Sequence, residues 1–366
     1  MSVQVHDKIP VWSWLAPLAA LVFLGFQVAD LLAASHPLTL GAAAVLLGVV
    51  IFAAVHHAEV LAVRVGEPFG SILLAIAVTI IEVALILSIM LSAGENASAL
   101  ARDTVFSAVM IVLNGVVGLC LLVGGNRFHE QSVQIQGASA SLGVLGTLAT
   151  LALVLPNFTT TTPGPYYAPS QLIFVGAVSL CLYFVFVFVQ TVRHRSYFLE
   201  DAALPDDAVP AIKPSRTLVW ASALLLPVAL GCVVLIAKLL STPLDRAVAA
   251  AGLPNAVVGV VIAGIVLLPE GIAALNAALA NRLQGSVNLA LGSAIASIGL
   301  TIPAVAVASL VLGTPLTLGL SSASLVLLVL TLYISALSLV TGRTTIMQGA
   351  IHLVIFGVFL LMTAVP

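Results

Sequence analysis

Two glutamates are placed where a carboxylate is costly. Glu82 lies near the centre of LAIAVTIIEVALILSIML, and Glu270 lies in the middle of GVVIAGIVLLPEGIAALNAALANRLQGS. Burying a charged side chain in a bilayer costs several kcal/mol, and such residues usually mark ion or proton pathways. Either glutamate alone could be a neutral structural group bonded to a carbonyl. Two of them, at matching places in two halves of one chain, favour a functional role.

The chemistry of such a pair follows from charge. Two empty, ionised carboxylates facing each other at the bilayer midplane would repel, and desolvation would favour their protonation. One Ca²⁺ would neutralise both and would accept oxygen ligands from carboxylates, hydroxyls, amides and carbonyls. Occupancy by two protons or by one divalent ion is then nearly exclusive, which is the minimal requirement for cation/proton exchange. Charge balance predicts an electroneutral ratio of 2 H⁺ to 1 Ca²⁺.

Small polar residues recur at helical spacing in the helix that follows each glutamate. Residues four or seven apart share one helical face, and such a face could present oxygen ligands or simply allow close helix packing. The predicted supporting face consists of Ser107, Asn114, Ser293, Ser297 and Thr301. Pro269, beside Glu270, is expected to loosen its helix and free backbone carbonyls, as occurs at transporter ion sites.

A second polar group lies in HHAEVLAVRVGEPFG. It contains His56, His57, Glu59 and Glu67, and it lacks the HExxH pattern of zinc proteases. One interpretation is an ordinary cytoplasmic rim after the second helix; the other is a vestibule through which protons and cations reach Glu82. His352, within the last apolar run, is interpreted as a hydrogen-bonded interior histidine rather than a ligand.

The elements that hold these residues are membrane helices. The 366 residues are 61% hydrophobic and 7% charged, compared with roughly 25% charged in soluble domains. Cys120, Cys181 and Cys232 lie in apolar runs and are interpreted as buried thiols without a disulfide. Apolar runs of spanning length predict an all-α polytopic membrane protein with about 11 transmembrane helices, at 11–32, 38–55, 69–91, 104–123, 141–155, 171–192, 218–240, 255–279, 288–312, 321–340 and 346–365.

The orientation and internal symmetry follow from the loops. Nine of the twelve Lys and Arg residues collect on one side, so the positive-inside rule predicts a cytoplasmic N-terminus and an external C-terminus. The acidic, proline-containing linker at 193–217 divides the later helices into five and five. Five spans per half force opposite orientations, which predicts an inverted repeat. The expected organisation is an N-terminal helix at 1–36, a first five-helix repeat at 37–192, the cytoplasmic linker, and a second repeat at 218–366.

Two stretches also resemble a known family. GEPFGSILLAIAVTIIEVALI and LLPEGIAALNAALANRLQGSVNLALGSAIASIGLTIP are similar to the two alpha-repeats of the Ca²⁺/H⁺ exchangers of the Ca²⁺/cation antiporter superfamily, most closely the bacterial ChaA type. The resemblance runs from about His56 to the end of the chain. It implies alternating access around two repeat glutamates, which would be Glu82 and Glu270. Ser107-Ala108 replaces the common Gly-Ser of the first repeat, and neither glutamate has a GNxxE-like lead-in.

These observations predict a secondary transporter of the inner membrane rather than an enzyme. The expected activity is Ca²⁺/H⁺ exchange that exports Ca²⁺ from the cytoplasm, with Glu82 and Glu270 as the Ca²⁺ ligands. An Na⁺(K⁺)/H⁺ antiporter with the same site is the alternative. A membrane-embedded enzyme would need a nucleophile or metal motif, and a purely structural membrane protein would tolerate Glu→Gln at both positions. No cofactor, nucleic-acid partner or obligatory protein partner is predicted besides the transported ions and the lipid bilayer.

Overall fold

The computed structural model describes residues 10–31, 36–66, 69–93, 98–199 and 214–366. Glu67 therefore lies outside the described residues, as does the linker from 200 to 213. We number the helices α1 Val11–Val28, α2 Pro37–Val65, α3 Phe69–Ala93, α4 Leu100–Phe128, α5 Ile135–Phe158, α6 Pro169–Arg193, α7 Arg216–Ala250, α8 Ala256–Leu279, α9 Leu283–Leu312, α10 Ser322–Leu339 and α11 Ile346–Ala364.

The all-α membrane fold is confirmed. Ten of these helices are long and apolar enough to cross a membrane, and α3 contains a shorter apolar stretch from Ile72 to Ser88. Each of the eleven predicted spans corresponds to one helix. Cys120 and Cys232 are buried free thiols, but the interpretation of Cys181 as buried is wrong because its side chain points away from the protein interior.

Local sequence signals set several helix ends. Pro37 and Pro169 begin α2 and α6, where a missing N–H costs nothing. The Ser215 hydroxyl accepts a hydrogen bond from the Leu218 N–H at the start of α7. Gly66 ends α2 with a positive φ of 79°, a conformation that glycine adopts without steric cost.

Several helices extend beyond their predicted ends; α4 and α5 do so by a few residues, to Phe128 and Phe158, and α2 and α7 do so by the most. The second span was predicted to end at Val55, but α2 continues to Val65 and includes His56, His57 and Glu59. The seventh was predicted to end at Leu240, but α7 continues to Ala250 through Pro243. Both predicted spans were ended at polar residues that follow an apolar run. The helical backbone continues through these residues because its hydrogen bonds are kept. His56, His57 and Glu59 are therefore helix residues and not part of a loop.

The first of two compact units comprises Met1–Ala97 and Val209–Gly252. It contains α1, α2, α3 and α7, and α2 packs against each of the other three. His57 joins three of these helices. Its Nε2 donates to the Ser13 carbonyl of α1 at 3.0 Å, and its Nδ1 accepts from the Ser222 hydroxyl of α7 at 3.1 Å.

The second unit comprises Ser98–Ala208 and Leu253–Pro366. It contains α4 to α6 and α8 to α11, together with a two-residue ladder in which Gln131–Ser132 pairs antiparallel with Arg343–Thr344. Within it α4 packs against α8 and α11, and α9 packs against α5, α6 and α8. Each unit takes helices from both sequence halves. The predicted inverted repeats describe the order and orientation of helices along the chain, which these packing units do not test. The repeats therefore stay a prediction.

Four helices of the second unit contain π-helical turns, which lie near the ends of α5 (Thr150–Val154) and α6 (Val189–Arg193) and near the middle of α4 and α9. α4 is π-helical from Ile111 to Val116, and α9 is π-helical from Ser297 to Thr301. We call the first of these, Ile111–Val116, the π segment. Single π turns inside α-helices are rare and are frequent at functional sites. A π-helix rotates by a smaller angle per residue than an α-helix. The helical faces in these segments therefore differ from those predicted with α-helical spacing.

Candidate functional site

Glu82 lies in the first unit, in the middle of α3. Its side chain is 4% exposed, and Ile81, Leu85 and Ile86 beside it on the helix are also buried. Glu82 is therefore buried beside apolar residues of its own helix. A carboxylate in such surroundings must be compensated by a proton, a cation or a polar partner.

Glu270 lies in the second unit, in the middle of α8. The Ser293 hydroxyl of α9 donates a hydrogen bond to its carboxylate, so two of the predicted site residues are in direct contact. α8 runs without interruption from Ala256 to Leu279, with Pro269 buried inside it. The predicted loosening is thus limited to the one backbone hydrogen bond that proline cannot make, which leaves the Ile265 carbonyl without its helical donor.

The other residues of the predicted supporting face are placed differently. Ser297 and Thr301 are buried at the two ends of the π-helical turn of α9. Ser107 is buried in α4 and donates to the Asp103 carbonyl one turn earlier at 2.5 Å. Asn114 lies within the π segment, where its amide contacts Thr331 of α10 and His352 of α11.

A buried polar network surrounds Asn114. Its Nδ2 lies 2.9 Å from the Thr331 hydroxyl, and its Oδ1 lies 3.0 Å from Nδ1 of His352. The other ring nitrogen of His352 lies 3.2 Å from the Ser338 hydroxyl. His352 is fully buried, and both its ring nitrogens are bonded, as interpreted from the sequence. The hydroxyl partners were missed because they lie more than 200 residues from Asn114 in the chain.

Three of the predicted vestibule residues, His56, His57 and Glu59, lie on α2 in the first unit. His56 contacts the Trp12 ring and the His57 ring, with centroids 5.4 and 5.7 Å apart. Both ring nitrogens of His57 are committed to Ser13 and Ser222, which gives this histidine a role in helix packing. Glu59, about one helical turn after His56, is half-buried. A path from these residues toward Glu82 stays a prediction.

A cavity that sequence reasoning missed lies in the second unit, among the starts of α4, α8 and α10 and the end of α11. It has a volume of about 170 Å³, and its lining includes Asp103, Ser107, Ser321, Ser324 and Thr363. The Arg102 guanidinium lies 2.8 Å from the Asp103 carboxylate and also donates to the Gly319 carbonyl. Since this arginine neutralises it, Asp103 is a weak candidate for a cation ligand.

Among the described residues, no three His, Cys, Asp or Glu side chains come together as a metal-binding cluster. An ion held at Glu270 would need hydroxyl or carbonyl oxygens among its other ligands, and the Ser293 hydroxyl is one that already touches the carboxylate. Such oxygen donors suit hard cations such as Ca²⁺ and Na⁺ better than transition metals.

Residues 35–192 and 221–365 match the family described as sodium/calcium exchanger protein. The chain belongs to this family. Its members are transporters that exchange cations against protons or other cations, and the protein is accordingly an integral membrane exchanger. The two matched segments are separated by the acidic linker, in agreement with the resemblance seen in the two glutamate-containing stretches.

Three relatives match over most of the chain. The protein named "Putative ionic transporter y4hA" of Sinorhizobium fredii is 57% identical over 367 residues, covering 100% of this chain and 99% of that protein. The sodium-potassium/proton antiporter ChaA of Escherichia coli K12 is 36% identical, with 85% and 84% covered. The Ca²⁺/H⁺ antiporter of Aphanothece halophytica is 24% identical, with 69% and 70% covered.

Solved structures share the fold. Native YfkE superposes with a TM-score of 0.73 at 19% identity, covering 97% of this chain and 100% of YfkE. The H⁺/Ca²⁺ exchanger CAX gives a TM-score of 0.70 at 16% identity, covering 96% of this chain and 87% of CAX. At these identities the likeness establishes the arrangement of helices and leaves the ion to be decided by chemistry and experiment.

Proposed function

We propose that the protein is a secondary active cation/proton antiporter that exports Ca²⁺ from the cytoplasm in exchange for protons. Glu82 and Glu270 are the ion-binding and proton-carrying groups, and Ser107, Asn114, Ser293, Ser297 and Thr301 support the site. The protein lies in the inner membrane with its N-terminus in the cytoplasm. Membership of an exchanger family supports the antiport mechanism, and the two glutamates supply the groups for it.

The contact between Ser293 and Glu270 is the observation that carries the proposal. A serine hydroxyl can donate its hydrogen to a carboxylate or can offer its oxygen lone pairs to a cation. The same pair of side chains therefore serves an empty, a protonated or a cation-loaded carboxylate with only a rotation of the hydroxyl. This versatility is what an exchange site requires, because it must accept each ion in turn.

Coupling follows from the cost of an uncompensated charge. A carboxylate inside an apolar helix is stable when it carries a proton or contacts a cation, and is costly when it is ionised and alone. A carrier that changes its access only when loaded would move one ion for the other. Two carboxylates match the charge of one Ca²⁺, which again gives two protons for each Ca²⁺ and an electroneutral cycle.

Na⁺ or K⁺ in place of Ca²⁺ is the second candidate. The specific observation in its favour is the 36% identity to a sodium-potassium/proton antiporter, which exceeds the 24% identity to a Ca²⁺/H⁺ antiporter. The same glutamates would carry the monovalent ion. Ion preference would then depend on how many further oxygen ligands the site supplies, since Ca²⁺ takes six to eight.

Ion-driven proton flux in proteoliposomes tests the proposal. Vesicles with an acidic interior receive Ca²⁺, Na⁺ or K⁺ outside, and a pH-sensitive dye follows the collapse of the gradient. The wild type is compared with Glu82→Gln and Glu270→Gln, which cannot cycle a proton. Glu130→Gln is the matched control, because Glu130 is exposed and only pairs loosely with Arg343 at 3.4 Å.

We expect Ca²⁺ to collapse the gradient in the wild type and in Glu130→Gln. The Glu82→Gln and Glu270→Gln variants should show no response. Glu→Asp at either position should retain partial activity, because it keeps the charge and shortens its reach. A response to Na⁺ or K⁺ without one to Ca²⁺ would keep the mechanism and change the substrate. Full activity in Glu82→Gln or Glu270→Gln would overturn the assignment of that glutamate.

A further inference from the structure

His352 and Asn114 are joined in a hydrogen-bonded chain whose direction can be assigned. The Asn114 amide nitrogen donates to the Thr331 hydroxyl at 2.9 Å, so its oxygen faces His352. That oxygen can only accept, which makes Nδ1 of His352 the donor and leaves Nε2 to accept from the Ser338 hydroxyl. Thr331 in turn lies 3.4 Å from the Met110 sulfur. The Asn114 amide nitrogen also lies 3.8 Å from that sulfur, so each donor in this chain has an acceptor.

Asn114 lies within the π segment, which is surrounded by helices. The π segment contacts α8, α9, α10 and α11 inside the second unit. On the side toward α8 it reaches the neighbour of the membrane glutamate: a Cβ placed on Gly271 would lie 3.3 Å from a methyl group of Val116. The π segment is therefore anchored by His352 on one side and packs beside Glu270 on the other.

Close packing of α4 and α11 places the imidazole at this position. A Cβ on Gly118 would lie 2.8 Å from Cβ of His352, and one on Gly349 would lie 2.8 Å from the Gly118 carbonyl. Glycine at both positions lets the two helix backbones approach closely, as small residues do in membrane helix pairs. Every buried polar atom of His352 and Asn114 then has its partner within reach.

We propose that His352 is a positioning residue for the exchange reaction, which acts by holding the Asn114 amide in one orientation and thereby fixing the π segment against the Glu270 region of α8. A buried amide without this anchor can turn over and exchange its donor and acceptor, which moves the segment that carries it. The inference rests on the proposed function, because its effect is on cation affinity at Glu270. Nothing in the sequence pattern around His352 indicates this link.

Two substitutions of nearly equal polarity separate the two ring nitrogens. In His352→Asn the amide nitrogen takes the place of Nδ1 and can still donate to Asn114. In His352→Gln the longer amide takes the place of Nε2 and leaves Asn114 without its donor. Ser335→Ala is the control, since its buried hydroxyl on α10 has no hydrogen-bond partner among the described residues.

The measurement is the Ca²⁺ dependence of proton flux in proteoliposomes, with Na⁺ as the driving ion if Ca²⁺ is inactive with the wild type. We expect His352→Gln to raise the apparent KM for the cation about tenfold, with the maximal rate within about twofold, since it loses a buried hydrogen bond outside the ion site. His352→Asn should stay within about threefold of the wild-type KM, and Ser335→Ala should be unchanged.

Equal KM values for the Asn and Gln variants would overturn the inference, whatever their common value. Loss of folded protein in both variants would also overturn it, because the histidine would then be needed only for packing. Absence of cation-driven flux in the wild type is a different result, and it would reject the proposed function itself. If the wild type shows flux and His352→Gln has the wild-type KM, only the role of His352 is rejected.

Discussion

At the level of single residues, a hydroxyl lies directly beside the carboxylate of Glu270. Ser293 donates to the Glu270 carboxylate from the adjacent helix α9. A hydrogen bond to an ionised acceptor contributes about 1.5–3 kcal/mol, more than one between neutral groups. The contact therefore favours the form of the glutamate that is ready to receive a cation, and removal of the hydroxyl should weaken cation binding.

We expect Ser293→Ala to raise the apparent KM for the transported cation by roughly tenfold to a hundredfold, which corresponds to about 1.5–3 kcal/mol. Ser293→Thr keeps the hydroxyl and should stay within about threefold of the wild type. The measurement is cation-driven proton flux in proteoliposomes at a series of cation concentrations. An unchanged KM in Ser293→Ala would show that the contact with Glu270 has no part in binding.

Residues that carry a charge in an apolar run are visible from the sequence, and both glutamates were found in this way. Neutral polar residues are harder to select, because serine and threonine are common at helix contacts. Thr331 and Ser338 were missed for this reason, and their role is apparent only when α10 lies beside α4 and α11. The sequence also could not show that Asn114 bonds to His352, since 238 residues separate the two side chains.

At the level of helices, the approach of α4 and α11 depends on glycines. Gly349 faces α4, and a Cβ there would collide with the backbone nitrogen of Leu122 and lie 2.7 Å from its Cα. Backbone atoms cannot move aside as a flexible side chain can, so the two helices would have to separate. Gly357, two turns later on α11, has nothing within 4 Å of a Cβ.

Gly349→Ala should therefore destabilise the protein by about 1–3 kcal/mol, as overpacking of a tight interface does. Gly357→Ala should be neutral or stabilising by up to about 1 kcal/mol, because alanine favours a helix over glycine. Unfolding in detergent, followed by the loss of helical circular dichroism on heating, compares the two variants. Equal stability of both variants would mean that the α4 and α11 backbones are not in close contact.

The same reasoning applies where α8 meets the start of α4. A Cβ on Gly259 would lie 2.8 Å from the backbone carbonyl carbon of Asp103, while Gly264 on the same helix has open space. We expect Gly259→Ala to cost about 1–3 kcal/mol and Gly264→Ala to be tolerated. Thermal unfolding again provides the comparison, and a stable Gly259→Ala protein would contradict the close contact of these two helices.

The presence of each membrane helix was predictable from the sequence, but the helix ends and the π turns were not. Long apolar runs indicate membrane helices because every backbone polar group must be bonded within the segment. The extensions of α2 and α7 were missed because polar residues there look like loop residues, although helical hydrogen bonding continues through them. The π turns at Ile111–Val116 and Ser297–Thr301 depend on packing between helices that are distant in sequence, and no local residue pattern marked them.

At the scale of the whole molecule, the orientation of the chain in the membrane decides which loops face the cytoplasm. The distribution of Lys and Arg predicts that the loops after α4, α6, α8 and α10 lie in the cytoplasm. The short loops after α5, α7 and α9 should then face outward. His129 follows α4 and Thr161 follows α5, and both side chains are exposed in the second unit. These two positions should be on opposite sides of the membrane.

Single cysteines introduced at these positions test the insertion. The three native cysteines are first replaced by alanine, and His129→Cys and Thr161→Cys are made in that background. In intact cells with an opened outer membrane, a membrane-impermeant maleimide should label Thr161→Cys and should label His129→Cys only after the inner membrane is permeabilised. Retention of cation-driven flux in each variant shows that it is inserted normally. Labelling in the reverse order would invert the predicted orientation, because the positive loops would then lie outside.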